Sequence, residues 1–192
     1  MAVEAVVFDV GETLVDETNM WIRAAGAGGV TPFTLMAALG VTIAESRPHG
    51  DVWGLLGIEP PPGSWTNADW YPDALPCIAR LRAAGLRVCA SGNTPAFVED
   101  DLRAVVDAVG SSASWGAEKP SPEFFARVVD LAGVPAERIA YVGDRVDNDI
   151  EPALAAGMVA VHVRRGPWGY LHTTPEGAIR IESLDELPGV LP

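Results

Sequence analysis

Residues 6–14 read VVFDVGETL: an apolar run ends in one aspartate, Asp9, and a turn that contains glycine follows at once. Open α/β sheets place their chemistry at the carboxyl ends of buried strands. Burying the Asp9 carboxylate at such a point is costly unless a metal ion or another cation compensates it. The stretch therefore predicts a buried strand, a functional aspartate and a positively charged partner.

Composition bounds the kind of protein that carries this stretch. The chain has 192 residues, 48% of them hydrophobic and 20% charged, enough for one sizeable core. The formal net charge of −13 disfavours nucleic acid and anionic membrane surfaces as partners. Residues 1–10 lack the basic segment of a signal peptide, and no apolar segment approaches the roughly 20 residues that span a bilayer. With Cys77 and Cys89 interpreted as reduced core residues, these features predict a cytoplasmic protein.

Strand and helix patterns alternate along most of the chain. Predicted strands cover residues 2–8, 86–90, 139–142, 159–163 and 179–181, with a short one near Ala108. Predicted helices cover residues 21–25, 33–39, 73–84, 95–105, 122–132, 150–156 and 184–187. Such alternation predicts an α/β fold, with a mostly parallel sheet and helices on both faces. Residues 16–70 show helical patterns without strands, so we predict a helical insertion between core segments 1–15 and 71–192.

Polar motifs stand at the edge where the predicted strands end. They are Asp9, the segment Ser91-Gly92-Asn93-Thr94, Lys119, and the segment 143–149 with sequence GDRVDND. Because the carboxyl ends of parallel strands share one edge of a sheet, we expect these motifs to lie close together.

Lys119 is the only lysine beside twelve arginines, so arginine has not replaced it here. A compact ammonium suits simultaneous contact with a carboxylate and a phosphoryl oxygen, where a planar guanidinium is too large. The Ser91 hydroxyl with nearby backbone N–H groups could bind phosphate, although it could equally cap the following helix.

Asp144 and Asp149 offer hard oxygen ligands of the kind that Mg²⁺ takes. The first turn of a helix also favours carboxylates, so a purely structural role stays open, more for Asp149 than for Asp144.

In their order along the chain these motifs resemble the haloacid dehalogenase-like superfamily of phosphohydrolases. The resemblance covers nearly the whole chain and also takes in residues 71–76 (YPDALP), the Pro-Ser-Pro after Lys119 and the Ala-Gly-Met of residues 156–158. It implies a Rossmann-like core and a small α-helical cap, inserted after the first strand, that closes over the site and selects the substrate.

The resemblance also implies roles for individual residues. Asp9 is the expected nucleophile, which forms an aspartyl-phosphate during hydrolysis of a small phosphorylated metabolite. Phosphoryl binding and catalysis fall to the motifs after the second strand and before the fourth: Ser91, Gly92, Asn93 and Lys119. The expected cofactor is Mg²⁺, bound by Asp9, the backbone carbonyl of Gly11 and Asp144, with support from Asp149. The chain is expected to act as a monomer or a homodimer.

One position departs from the family pattern. Phosphatases of this superfamily usually carry a second aspartate two residues after the nucleophile, where it moves protons, and this chain has Gly11 there. General acid–base catalysis is worth about 10²–10⁴-fold in rate. The departure predicts a phosphatase that is slow or confined to good leaving groups. The adjacent Glu12 could reach in, although neighbouring side chains in an extended turn point apart.

Two alternatives follow from Gly11. A 2-haloacid-dehalogenase-like carbon–halogen hydrolase also lacks the second acid, but such relatives need no metal, and residues Gly143 and Asp144 look suited to one. Its substrate carboxylate could meet only Arg23 or Arg47 in the insertion. The other alternative is a catalytically weakened protein that binds a metabolite or regulates, which the retained Asp9 and Lys119 oppose.

Overall fold

A computed structural model describes residues 2–61 and 69–192. The chain forms two compact units, one made of Met1–Val15 with Trp70–Pro192 and the other of Asp16–Asp69. These boundaries differ from the sequence-based ones only in the assignment of Trp70. The first is called the core unit below and the second the helical unit.

The core unit is built on a six-stranded sheet in the order β3-β2-β1-β4-β5-β6, and every neighbouring pair is parallel. In chain order the strands are β1 Ala5–Phe8, β2 Arg87–Gly92, β3 Ala108–Ser111, β4 Ile139–Gly143, β5 Val159–Val163 and β6 Ile179–Ile181. This architecture confirms the predicted α/β, Rossmann-like fold. It places β1, and with it the end of the opening stretch, between β2 and β4.

Helices occupy the connections between the strands. In chain order they are α1 Thr18–Ala27, α2 Pro32–Ala44, α3 Asp51–Leu56, α4 Ala74–Ala83, α5 Val98–Arg103, α6 Ser112–Trp115, α7 Pro122–Ala132, α8 Glu151–Ala155, α9 Gly166–Leu171 and α10 Leu187–Val190. A π-helical turn, Val146–Ile150, leads into α8. Sequence predicts the start of α7 correctly because Ser121 caps it, accepting a hydrogen bond from Phe124 N, and Pro122 occupies its first position.

All four residues of β1 are buried, so helices must cover both faces of the sheet at its centre. On one face Val7 of β1 and Tyr141 of β4 belong to an apolar cluster with Phe124 and Phe125 of α7. Helix α4 packs against β2, and its buried residues lie outside that cluster. The rigid centre of the sheet therefore carries the ends of β1, β2 and β4 at one edge.

The helical unit contains α1, α2 and α3, and its described residues include no strand. The Trp21 ring is buried and stacks on Trp53 with 5.9 Å between ring centroids. Within the described ranges no single helix is long and apolar enough to cross a membrane. Helices α1 and α2 pass on length and composition only as a pair, and the pair is bent by 110°.

Candidate active site

Asp9 follows β1 directly and is held at the carboxyl edge of the sheet. Its backbone N–H donates to Val142 O of β4 at 2.8 Å, and its side chain is buried. The Thr13 hydroxyl donates to Asp9 Oδ2 at 3.4 Å, a contact that was not expected from the sequence. A buried carboxylate with so weak a neutral donor needs a cation nearby.

Lys119 supplies that cation. Its Nζ lies 2.5 Å from Asp9 Oδ1 and 2.6 Å from Asp149 Oδ1, and the ammonium is almost fully buried. Burial alone would lower the pKa of Lys119, but the Asp149 and Asp9 carboxylates outweigh it and raise the pKa well above its ordinary value. The lone lysine is therefore a permanent positive charge that joins two of the predicted motifs.

Asn93 holds the main chain of Lys119 from two sides. Asn93 Oδ1 accepts from Lys119 N at 2.8 Å, and Asn93 Nδ2 donates to Lys119 O at 3.0 Å. Because both polar groups of this amide contact the lysine backbone, the structure ties the end of β2 to the loop before α7. The sequence predicts Asn93 as a phosphate-binding residue, but no local pattern predicts its hydrogen bonds to the Lys119 backbone.

Asp149 is seated by an unusual backbone. The turn Val146–Ile150 is π-helical, a form that often marks functional sites, and Asp149 Oδ2 accepts from Arg145 N at 3.1 Å. A Cβ added at Gly143 would lie 2.5 Å from Asp149 Cβ, so only glycine lets this side chain pack against the end of β4. Burial raises the pKa of Asp149 to about 6, with Lys119 opposing it and Asp9 adding to it.

Asp144 is a buried carboxylate that contacts no cation among the described residues, and only the more distant Lys119 charge offsets its burial in part. Its Oδ2 has no hydrogen-bond partner among the described residues. Burial raises its pKa well above the ordinary value, and the negative charges of Asp149 and Asp9 add to the effect. Its backbone carbonyl is held by His162 of β5, whose Nε2 lies 3.0 Å away.

One oxygen from each of Asp9, Asp144 and Asp149 lies within 4.8 Å of the others. Lys119 neutralises one of these three formal charges, so two negative charges remain in a buried space. Hard oxygen donors with that charge suit a divalent cation such as Mg²⁺, and the unpartnered Asp144 oxygen is the atom that gains most from one.

Gly11 and Glu12 form the turn after Asp9. Glu12 N donates to Val15 O at 2.8 Å, and Glu12 takes the turn's left-handed conformation with a φ of 51°. The Glu12 side chain is buried and Tyr71 Oη donates to its Oε2 at 2.5 Å. Glu12 thus has a specific partner from 59 residues away, which its neighbours in sequence do not reveal.

Ser91 and Gly92 end β2 beside Asp9. The Ser91 hydroxyl is buried and has no hydrogen-bond partner among the described residues, so it does not cap a helix. The next helix begins at Val98, without a side-chain cap. A Cβ at Gly92 would lie 3.3 Å from Asp9 Oδ1, which shows how closely this backbone approaches the carboxylate. The structure therefore brings Ser91, Gly92, Asn93 and Lys119 together around Asp9.

Comparisons with known proteins agree with this geometry. Residues 65–157 match the haloacid dehalogenase-like hydrolase family. A glyceraldehyde 3-phosphate phosphatase of Methanocaldococcus jannaschii is 34% identical over 127 residues, which are 63% of this chain and 56% of the relative. The chain thus spans little more than half the length of that curated relative.

Solved structures share the fold across their whole length. The HAD-hydrolase YfnB of Bacillus subtilis, bound to magnesium, aligns with a TM-score of 0.71 at 16% identity over 100% of this chain and 99% of its own. An L-2-haloacid dehalogenase of Xanthobacter autotrophicus aligns with a TM-score of 0.70 at 19% identity, over 98% of each chain. At these identities the likeness concerns the fold and does not separate the two chemistries. Motif order, sheet topology and the match over residues 65–157 all agree with the haloacid dehalogenase-like hydrolase family.

Proposed function

We propose that the protein is a Mg²⁺-dependent phosphomonoesterase that acts on a small phosphorylated metabolite through an aspartyl-phosphate at Asp9. The observation that carries the proposal is the position of Lys119 Nζ between Asp9 and Asp149, beside the unpartnered Oδ2 of Asp144. This arrangement supplies a nucleophile, a fixed positive charge and a set of hard oxygen ligands within one buried cluster.

Phosphoryl transfer needs mainly positioning and charge neutralisation, and the residues present can supply both. An Asp9 oxygen forms the new O–P bond while the bond between phosphorus and the ester oxygen breaks, and the leaving oxygen takes a proton from solvent. Water then cleaves the aspartyl-phosphate, which releases phosphate and restores the Asp9 carboxylate. Lys119 stabilises negative charge on the transferring group, and the Ser91 hydroxyl donates to one of its oxygens.

The metal ligands in this proposal are Asp9, the carbonyl of Gly11 and Asp144, with Asp149 in support through Lys119. When bound, Mg²⁺ would neutralise charge on the phosphoryl group and orient it for in-line attack. The excess negative charge of the cluster and the Asp144 oxygen without a partner support this ligand set.

The substrate class rests on the relatives. The phosphatase of Methanocaldococcus jannaschii is named for a triose phosphate, so a small phosphorylated metabolite is the class proposed here. We further propose that the helical unit is the substrate-selecting cap and that the protein works in the cytoplasm as a monomer or homodimer.

Hydrolysis of an aryl phosphate and of glyceraldehyde 3-phosphate tests the function directly. We expect phosphate release that requires Mg²⁺, stops with a chelator and exceeds that of an Asp9→Asn control. Release no greater than that control would contradict the proposal. Metal-independent halide release from a 2-haloacid would favour the carbon–halogen hydrolase instead, and tight metabolite binding without turnover would favour a regulatory protein.

Asp144→Asn is expected to make the metal-free protein more stable. The folded wild type must either bury an unpaired charge or take up a proton at Asp144, and an amide of the same shape avoids both. A gain of about 1 kcal/mol is typical of relieving such a site and corresponds to about 2–4 °C in the unfolding midpoint for a chain of this size. Thermal unfolding in a chelator measures it.

Addition of Mg²⁺ completes that test. Wild-type protein is expected to gain stability with metal concentration, and Asp144→Asn to gain little, since binding to the folded state stabilises by mass action. Asp147→Asn is the matched control, because Asp147 lies three residues from Asp144 but pairs with Arg145 through its Oδ2 at 2.6 Å. Equal unfolding midpoints for wild type and Asp144→Asn without metal would show that the buried Asp144 carboxylate does not destabilise the fold.

The same cluster makes metal-free stability depend on pH. The pKa of Asp149 rises on folding from its ordinary 3.8 to about 6, and that of Asp144 rises as well. Between these values the folded state binds more protons than the unfolded state, so stability falls as pH increases through the window. Denaturant titrations between about pH 4 and 7 are expected to show this fall in a chelator, with a smaller fall for Asp144→Asn.

A further inference from the structure

Tyr141 is a core residue that carries a hydroxyl with no role in the core. Its ring is fully buried on β4 and packs on Phe125 with 5.2 Å between centroids, within an otherwise apolar cluster. The hydroxyl has no partner of hydrogen-bond geometry among the described residues. An unpartnered buried hydroxyl destabilises the folded state, and phenylalanine would fill the same space without that cost.

The register of the sheet brings this hydroxyl to the site. Val7 of β1 pairs laterally with Cys89 of β2 and with Tyr141 of β4, so the three side chains share one face. Two residues further along each strand, on the same face, come Asp9, Ser91 and Gly143. The Asp149 side chain fills the space that a side chain at Gly143 would take. The Tyr141 phenol lies close enough to this polar row for Lys119 and Ser91 to act on it.

The electrostatic surroundings of the phenol agree with this placement. Burial raises the pKa of Tyr141 far above its ordinary value, while the Lys119 charge and the Ser91 hydroxyl lower it in part. The phenol therefore keeps its proton at any pH at which the enzyme would work. The ammonium of Lys119 favours the orientation in which the phenol lone pairs face the cation and the O–H points away from it.

We propose that Tyr141 is a positioning residue for Ser91: when phosphate binds, the Tyr141 O–H donates to Ser91 Oγ, so that the Ser91 proton is directed to a phosphoryl oxygen. A serine hydroxyl has one proton, and if that proton were donated to Tyr141 the phosphoryl group would receive none. This inference rests on the proposed phosphatase function. It gives the Tyr141 hydroxyl a role in phosphate binding and no direct contact with the nucleophile Asp9.

Tyr141→Phe removes only the hydroxyl, and it is expected to weaken binding of inorganic phosphate by about 3–10-fold, the worth of one hydrogen bond. KM for an aryl phosphate should rise by a similar factor, with kcat changed less. The unfolding midpoint should not fall, since an unpartnered group has been removed. Calorimetry with inorganic phosphate and Mg²⁺, steady-state kinetics and thermal unfolding measure the three quantities. Tyr170→Phe, at an exposed position on α9, is the matched control.

A double-mutant cycle with Ser91→Ala then separates this role from a structural one. If Tyr141 acts through Ser91, adding Tyr141→Phe to Ser91→Ala leaves phosphate affinity unchanged. Equal losses in both backgrounds, or a change in stability with no change in phosphate affinity, would overturn the inference. If the wild type hydrolyses phosphate esters and Tyr141→Phe has the same KM and phosphate affinity, the inference is overturned and the proposed function stands. If the wild type binds phosphate without hydrolysing esters, and Tyr141→Phe weakens that binding, the inference is supported and the proposed function is overturned.

Discussion

Asp9→Asn is expected to lower kcat for an aryl phosphate by a factor on the order of 10⁴–10⁶, the range for removing one member of a nucleophilic set. The amide keeps the size of the side chain, and its oxygen can still accept a hydrogen bond from Lys119. It cannot form the acyl-phosphate bond, because the negative charge that makes the carboxylate a nucleophile is gone. Initial rates at saturating substrate and Mg²⁺ measure the effect.

The loss must be one of chemistry and not of folding. We expect Asp9→Asn to unfold at or above the wild-type temperature, since one of three neighbouring carboxylates has been neutralised. Asp130→Asn, at an exposed position on α7, makes the same chemical change away from the site and should leave kcat unchanged. A fall of less than tenfold for Asp9→Asn in a well-folded protein would remove Asp9 as the nucleophile.

The pairing of Asp9 with Lys119 illustrates what the sequence could predict. A lone carboxylate at a strand end requires a cation for electrostatic reasons, and the chain offers a single lysine in a motif at the same edge. The sheet and the start of α7 were equally accessible, since alternating patterns and a Ser-Pro cap are local signals. Charge and periodicity therefore located the fold and the main polar residues.

Contacts made by loops across long separations were not accessible. The pairs Tyr71 with Glu12 and Asn93 with Lys119 depend on turn geometry that no periodicity encodes. The predicted helix at residues 184–187 was wrong for a related reason: the helix there is α10, which begins at Leu187. Asp73 Oδ2 accepts from Leu184 N at 2.9 Å, so a carboxylate 111 residues away fixes the backbone there, and no local pattern shows this contact.

The second large expected effect is on kcat, and it comes from restoring the aspartate that Gly11 replaces. Gly11→Asp is expected to raise kcat for an alkyl phosphate by about 10²–10⁴-fold, the usual worth of general acid–base catalysis, and for an aryl phosphate by much less. A poor leaving group needs a proton as its bond to phosphorus breaks, whereas an aryl oxide leaves without one. The left-handed conformation of the turn is at Glu12, not at residue 11, so a side chain at position 11 need not adopt it.

Gly11→Asn is the matched control, because it has the same shape and no proton to give. If both variants raise kcat equally, the gain comes from packing or turn stiffness and not from proton transfer.

Glu12→Gln tests whether Glu12 already acts as the general acid in the wild type. Should Glu12 already move the proton, Gly11→Asp would add little, and Glu12→Gln would cost the wild type most of its activity on alkyl phosphates. We expect the reverse, since the Glu12 carboxylate already accepts a 2.5 Å hydrogen bond from Tyr71. The ratio of alkyl to aryl turnover across the three variants therefore determines whether Gly11 is what limits this enzyme.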